Sequence, residues 1–408
     1  MEPKISSMKS SETQRPLEGR ERKMYDLLIV GCGPAGASLA SLAAKEGFKV
    51  LVVDRKKGIE EPTICGEFLP DFSLIRKAFP EEFYSATEFM RKSFYSDELT
   101  LHETDQVIVD LSGREKMLDL KGKVISRKKA ISRLIKIAKG NGAELYLSTS
   151  YIGSKVSDSK VVSLLRGKKE FLEWSRIIIG ADGFPSRVSR SMGLNNKVKG
   201  DDLAYVTVQL AKGDYPDNSV YMGFYNEFSP GGYAWVIPRG RDLLSVGVGV
   251  RDSYGVNIRS CHDQFMRKRG LEGLGQIYGK ALPVGGIFKN LANSFSLLIG
   301  DAAGLVMPVN GGGIPTAAVS SFIAFIALKK WFEDPREASS LFKSSMIKCF
   351  ERTFNVALRA RKIVDLLMKY KLLSLLWIVP SKMIRGVIAL DKSSFSYKLL
   401  DFPSKVPI

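Results

Sequence analysis

Metal sites, disulfide frameworks and acid–base dyads need cysteine and histidine, and this sequence has little of either. Among 408 residues there are two histidines and four cysteines, Cys32, Cys65, Cys261 and Cys349. No C-x-x-C pair occurs, so no zinc site or disulfide framework is expected, and the cysteine usage points to a reducing cytoplasm. The spacing leaves open a single bond between Cys261 and Cys349. No apolar run is long enough for a transmembrane helix to be expected. Residues 1–23 are polar and charged, so they do not read as a signal peptide and are expected to be a disordered lead-in. Acidic residues are also scarce, 43 against 61 Lys and Arg, which leaves a net charge of +18. That surplus implies an anionic lipid, a phosphate-bearing substrate or nucleic acid as partner. There is no zinc finger, no RNP aromatic pattern and no basic block interleaved with aromatics, so nucleic acid is not expected.

What is present is a globular composition, 45% hydrophobic and 25% charged, at a length that suits two intimately packed domains. The segment YDLLIVGCGPAGASLASLAAKEGFKVLVVDR begins at Tyr25. It predicts a strand over 27–30, an Ala-rich helix over 35–45 and a strand over 50–53. Gly31, Gly33 and Gly36 between them fit G-x-G-x-x-G. Gly31 permits the tight turn, Gly33 lets the backbone approach a pyrophosphate, and Gly36 allows close helix–sheet packing. Asp54 closes the second strand, where a carboxylate can bind a ribose hydroxyl. This much describes a dinucleotide site and leaves NAD and FAD both open.

Two later segments bear on the cofactor. RIIIGADGFPSRVSRSMGL, from Arg176, is a strand ending in Asp182-Gly183. SLLIGDAAGLVMPVNGGGIPTAAVSS, from Ser296, is a strand, then Gly300-Asp301, then a glycine-rich loop opening an apolar helix. In this order the three motifs resemble those of p-hydroxybenzoate hydroxylase-like flavoproteins, over most of the chain from Tyr25 to about Leu328. The resemblance implies an α/β fold with a Rossmann-like FAD-binding domain interleaved with an antiparallel-sheet substrate domain. Chemically, Asp301 suits ribityl or ribose hydroxyls. Gly311, Gly312 and Gly313 expose N–H groups at the positive end of the helix beginning near Ile314, which suits the flavin edge where negative charge gathers on reduction. The same resemblance puts Arg127 near the FAD pyrophosphate, which its guanidinium fork fits, and gives Tyr151 a backbone contact on the adenine side. The expected cofactor set is Gly31, Gly33, Pro34, Ala35, Gly36, Asp54, Arg55, Cys65, Gly66, Phe68, Arg127, Tyr151, Asp182, Asp301, Gly312, Gly313 and Ile314.

Three further motifs resemble those of the geranylgeranyl reductase family: Pro62-Thr63-Ile64-Cys65-Gly66-Glu67, Tyr233-Ala234-Trp235-Val236-Ile237-Pro238 and Pro283-Val284-Gly285-Gly286. Members of that family use reduced FAD to saturate isoprenoid double bonds, which implies such a substrate here, most naturally the geranylgeranyl chains of an archaeal-type glycerophospholipid. An isolated alkene has no carbonyl to polarise, so it needs hydride at one carbon and a proton at the other. Tyr233 and Trp235, two apart on a strand, share a face and are expected to line an apolar tunnel with Pro238, their rings stabilising developing positive charge. Cys65 and Glu67 are the candidate proton donors. Ile237 replaces the usual Phe, Arg239 the common Lys, and Glu67 the common Asp. The alternative is a flavin monooxygenase or halogenase on the same fold, because YAWVIP also approaches the halogenase W-x-W-x-I-P motif.

The expected organisation assigns 24–66, 120–194 and 284–328 to the FAD-binding domain, and 67–119 and 195–283 to the substrate domain. Residues 329–408 form a helical tail. From Arg359 to Leu390 apolar residues recur at helical spacing among Lys and Arg, predicting a basic amphipathic helix broken at Pro380 that lies on anionic lipid. The enzyme is thus expected on the cytoplasmic face of the membrane. No second G-x-G-x-x-G is found, so an external electron donor, ferredoxin or NAD(P)H, is expected.

Overall fold

The computed structural model describes residues 23–59 and 65–402. The expected lead-in, apart from Lys23, and residues 62–64 of the cysteine motif lie outside the described residues. Val and Ile runs with no polar alternation build strands buried on both faces. Met24–Val30 is such a strand, and it pairs in parallel with Val50–Val53 on one side and with Glu170–Gly180 on the other. The eight-stranded sheet continues through Ser296–Leu298 and, at the opposite edge, Glu144–Tyr146. Helices Pro34–Lys45, Arg127–Gly140 and Ile314–Trp331 cover it. By length and composition Ile314–Trp331 is apolar enough to cross a membrane, yet it is mostly buried in this core. Its small residues permit close packing, and Ser321 donates to the Ala35 carbonyl of the first helix at 2.8 Å.

A second, seven-stranded sheet carries Leu203–Lys212, Ser219–Phe224, Ala234–Pro238, Leu244–Arg251 and Glu272–Pro283, with Gln106–Leu111 and Glu115–Leu118 at one edge. Helix Ile258–Lys268 packs on one face of this sheet and buries Cys261 there, whereas Cys349 lies in the nucleotide-side core. Both thiols are free. The bond left open by the spacing is therefore not made.

Two boundaries differ from the sequence expectation. Most of residues 67–104, expected with the substrate sheet, lie against the nucleotide side. Helix Tyr84–Phe94 buries Met90 and Phe94 in that core, and Phe89 meets Phe322 with ring centroids 5.9 Å apart. Only Gln106–Leu111 and Glu115–Leu118 of the expected stretch join the second sheet. The tail is not a helix broken at Pro380. One helix runs Pro335–Lys369 and ends where Lys371 turns left-handed at φ 57°. Leu373–Ile378 forms a 3-10 segment, and Pro380 caps the start of Ser381–Ile388. Ahead of a helix a proline's missing N–H costs nothing, so here it starts an element instead of ending one.

His262 sits buried beneath the second sheet, with Nδ1 3.0 Å from Thr207 Oγ1 and Nε2 3.2 Å from Gln209 Oε1. Burial lowers its pKa from 6.5 to about 4, so the folded state holds it neutral. The resulting stabilisation is present above the unfolded pKa near 6.5 and is lost as pH falls towards 4. Between pH 7 and pH 5 this group is expected to remove about 2 kcal/mol of stability. Urea unfolding of His262→Gln at both pH values checks it: the variant should lack that increment.

Candidate active site

The glycine turn after Met24–Val30 is built by exclusion of side chains. Gly31 adopts φ +102°, and a Cβ there would run into the Ala181 carbonyl. A Cβ on Gly36 would strike the Gly31 carbonyl, which is how the helix Pro34–Lys45 comes so near the sheet. Gly36 thus acts through packing, while Gly31, Gly33, Pro34 and Ala35 line the large cavity. Gly33 has nothing within 4 Å of its added Cβ position, so it is the point of open approach, at the N-cap of that helix. Asp54 accepts the N–H groups of Cys32 at 2.6 Å and Lys56 at 2.9 Å, which fixes the loop and leaves lone pairs towards the cavity for a hydroxyl. Arg55 lines the same wall.

Arg127 opens the helix Arg127–Gly140, whose N-cap Ser126 accepts from Lys129 N–H. Its guanidinium Nε is buried without a hydrogen-bond partner, and the residue faces the cavity opposite the glycine turn. A buried, unsatisfied cationic edge beside open backbone fits a pyrophosphate. The residues present therefore suit a dinucleotide.

Three expected contacts take a different form. Asp182 spends its carboxylate on Ser186 Oγ at 2.7 Å, Arg187 N–H at 2.7 Å and Val188 N–H at 3.2 Å. It shapes the turn into Arg187–Ser191 and offers the cavity little more than its backbone. Tyr151 buries its ring, donates its hydroxyl to Ser154 Oγ with Ser191 Oγ also in reach, and its carbonyl accepts from the Arg187 guanidinium at 3.0 Å. Arg187, which lines the cavity, was not singled out from the sequence, although it follows Asp182 by five positions. In the third glycine loop, Gly311 N–H goes to Met307 O and Gly312 N–H to Asn310 Oδ1. The anion-attracting end is accordingly the first turn of the helix from Ile314, beside Asp301. Lys280, also not foreseen, donates to Asp301 Oδ2 at 3.1 Å.

At the other end of the cavity, strand alternation decides which residues face it. Tyr233, Trp235 and Ile237 line it, whereas Ala234 and Val236 point into the core against helix Ile258–Lys268. Pro238, at the end of Ala234–Pro238, falls on the same side as Ala234 and Val236 and does not line the cavity, so its expected substrate contact is not formed. Tyr233 and Trp235 have ring centroids 5.9 Å apart, and Tyr233 lies 5.6 Å from Phe224. The Tyr233 hydroxyl donates to Asn310 O at 2.6 Å, and burial pushes its pKa far above the usual phenol value. It holds the Asn310 loop and keeps its proton in that hydrogen bond. Trp235 Nε1 is buried with no partner and faces Gly66, where a Cβ would meet it and Ile237.

Cys65 and Phe68 line the junction between the two ends, and Cys65 Sγ accepts Glu67 N–H at 3.3 Å. Glu67 stands at φ 60°, a left-handed conformation that costs a non-glycine residue energy. Its Oε1 accepts Arg127 N–H at 2.9 Å and its Oε2 pairs with Arg239. With both oxygens held by donors it is a positioning residue and is poorly placed to release a proton. The Glu and Arg that depart from the family motifs thus meet in one ion pair. Beyond the aromatics the cavity, about 980 Å³, becomes apolar. Val107, Val109, Val220 and Met222 face Leu373, Leu376, Met383 and Ile384 of the tail across it.

Replacing Arg127 by Met removes the unsatisfied guanidinium while keeping the stem. The flavin dissociation constant is expected to rise about 10–100-fold, the worth of one or two charge-assisted hydrogen bonds. Fluorescence titration of the stripped protein measures it.

The comparisons with known proteins agree with this geometry. Residues 203–277 match the geranylgeranyl reductase catalytic domain, and residues 29–59 match an NAD(P)-binding Rossmann-like domain. A digeranylgeranylglycerophospholipid reductase of Methanocella arvoryzae is 29% identical over 371 residues, covering 84% of this chain and 92% of that protein. One of the proteins of that name in Methanosphaera stadtmanae is 30% identical over 315 residues, covering 74% of this chain and 76% of its own. Among solved structures, a geranylgeranyl bacteriochlorophyll reductase-like protein of Thermoplasma acidophilum superposes with a TM-score of 0.77 at 21% identity, over 94% of this chain and 98% of its own. The flavin-dependent brominase Bmp2 shares the fold with a TM-score of 0.64 at 16% identity, over 93% and 97%. The relatives' names, the matched catalytic domain and the shared flavoprotein fold together place this chain in the digeranylgeranylglycerophospholipid reductase family, as a flavin-dependent oxidoreductase.

Proposed function

We propose that the protein binds FAD and saturates isoprenoid double bonds in a membrane lipid, the geranylgeranyl chains of an archaeal-type glycerophospholipid. The observation that carries this reading is a single cavity, polar around Gly33, Arg127 and Asp301 and apolar between the second sheet and the tail, with Cys65, Tyr233 and Trp235 where the two parts meet. FAD, once reduced, supplies the hydride. The chain's own residues do the rest. Gly33, Arg127 and the helix from Ile314 bind and orient the dinucleotide. Trp235 presents an aromatic face to the alkene, which favours the positive charge that builds as a proton is added. The aliphatic wall excludes water from the channel. The Cys65 thiol gives the proton to the second carbon and regains one from solvent, so each double bond gains two hydrogens.

Reduced anaerobically with dithionite and mixed with a geranylgeranyl lipid, the holoprotein is expected to reoxidise and to add two hydrogens per double bond by mass. Reoxidation by oxygen alone, with oxygen or halogen entering the product, would sink the reading in favour of a monooxygenase or halogenase. Cys65→Ala is expected to slow saturation at least about 100-fold, the usual worth of a positioned acid, and a wild-type rate removes the thiol from the mechanism. Running the assay with ferredoxin or NAD(P)H in place of dithionite identifies the external donor.

The tail supports a further part of the same proposal, peripheral attachment to the inner face of the cell membrane. One side of the tail lines the cavity, while Leu366, Tyr370, Leu372, Leu375, Trp377 and Ile378 are exposed beside Lys369, Lys371 and Lys382. Apolar side chains flanked by lysines suit an anionic bilayer surface. Sedimentation with phosphatidylglycerol vesicles should carry the protein down, more weakly at high salt. Leu375→Asp combined with Ile378→Asp should leave it in the supernatant; if that variant still sediments, this surface is not the attachment site.

A further inference from the structure

Antiparallel register runs Trp235 opposite Gly247 and carries the cavity-facing row along Leu244–Arg251 to Gly249 and Arg251. Arg251 therefore stands one two-residue step, about 7 Å, beyond Tyr233, at the end of the row away from Ile237. Gly231, at φ +70°, lies under its side-chain stem, where a Cβ would collide with Arg251 Cγ. Arg251 is 6% exposed, lines the cavity, and its Nε has no hydrogen-bond partner. Burial lowers its pKa to about 10, so it is still charged at neutral pH.

A second cation comes from the tail helix Pro335–Lys369. Arg361 is 4% exposed, lines the same stretch of cavity and also has an unsatisfied Nε. Its other nitrogens donate to Val284 O at 2.6 Å and Asp202 Oδ1 at 2.8 Å, which holds the fork in place. Asp365, one turn on, approaches Arg361 Nε at 3.4 Å and Arg251 Nη2 at 3.8 Å, and its Oδ1 has no donor. Burial raises the Asp365 pKa, and the two guanidiniums beside it lower it. Two buried guanidiniums with unfilled donors, facing one cavity, call for an acceptor-rich anion inside it.

We propose that Arg251 and Arg361 form a phosphate subsite that holds the headgroup phosphate of the lipid substrate, with its isoprenoid chain running from there past Tyr233 and Trp235. This deepens the reductase reading and rests on it for the direction of the chain. It separates the substrate into an anchored polar end and a mobile apolar end, so one headgroup contact serves the successive double bonds.

The test compares geranylgeranyl phosphate with geranylgeraniol, binding each to the flavin-loaded protein and following tryptophan fluorescence. The wild type is expected to prefer the phosphate at least 10-fold. Arg251→Met should erase that preference and leave geranylgeraniol affinity unchanged, and Arg251→Lys, which keeps charge without the fork, should fall between. An unchanged visible flavin spectrum certifies each variant as folded. A preference that survives in Arg251→Met overturns the subsite. Inorganic phosphate that binds as tightly as geranylgeranyl phosphate assigns the site to free phosphate and overturns the headgroup role. Geranylgeranyl phosphate that binds with the expected preference but is left unsaturated by the reduced protein refutes the reductase reading while the subsite stands.

Discussion

The Glu67 carboxylate ties together three stretches of chain that are far apart in sequence. It sits on the loop after the nucleotide strands, accepts the N–H that opens the helix Arg127–Gly140, and pairs with Arg239 just past the strand Ala234–Pro238. The pair is nearly closed to water, with side-chain exposures of 4% and 17%. Removing one partner of such a pair leaves an uncompensated buried charge, a loss of about 3–5 kcal/mol. The left-handed backbone at Glu67 is held against its intrinsic preference by this arrangement. In consequence Cys65 and Gly66 are presented between Arg127 and Trp235, at the seam of the two sheets.

That seam explains how one cavity serves two chemistries. Around the first glycine turn the backbone lies open at Gly33, and the partnerless Arg127 Nε suits phosphate. Across the seam the lining changes to Val, Leu, Ile and Met from the second sheet and the tail, which offers an alkyl chain no polar partner and water no foothold. The tail is thus part of the binding site. Helix Pro335–Lys369 anchors its first half in the nucleotide core through Phe342, Phe350 and Phe354, and brings Arg361 and Val364 to the cavity with its second half. The apolar half of the cavity is therefore walled by the second sheet and the tail together.

Much of this was legible in the sequence because it rests on local geometry. The alternation of β-branched runs, glycines and a terminal carboxylate builds a strand–turn–helix, and Gly31, Gly33, Asp54 and Asp301 line the cavity. The period-2 rule likewise sets Tyr233 and Trp235 on one face, and carried three residues further it turns Pro238 away. Side-chain hydrogen bonds were another matter. Asp182 capping its own turn, Tyr233 holding Asn310, and Glu67 locked to Arg239 depend on which donor lies nearest in space, and no motif records that.

The sequence by itself determined the dinucleotide turn, the order of the flavoprotein motifs and the aromatic pair, since each depends on neighbours a few residues away and on the chirality and pleat of the backbone. Only the tertiary structure decided that residues 67–104 pack on the nucleotide side, that the tail roofs the cavity, and that Arg187, Arg251, Lys280 and Arg361 face into it. Those outcomes arise from contacts between segments far apart in sequence, such as Thr353 with Ala78, 275 residues apart, and Arg361 with Asp202, 159 apart. The balance of burial and charge there belongs to the packed assembly and to no stretch of chain alone.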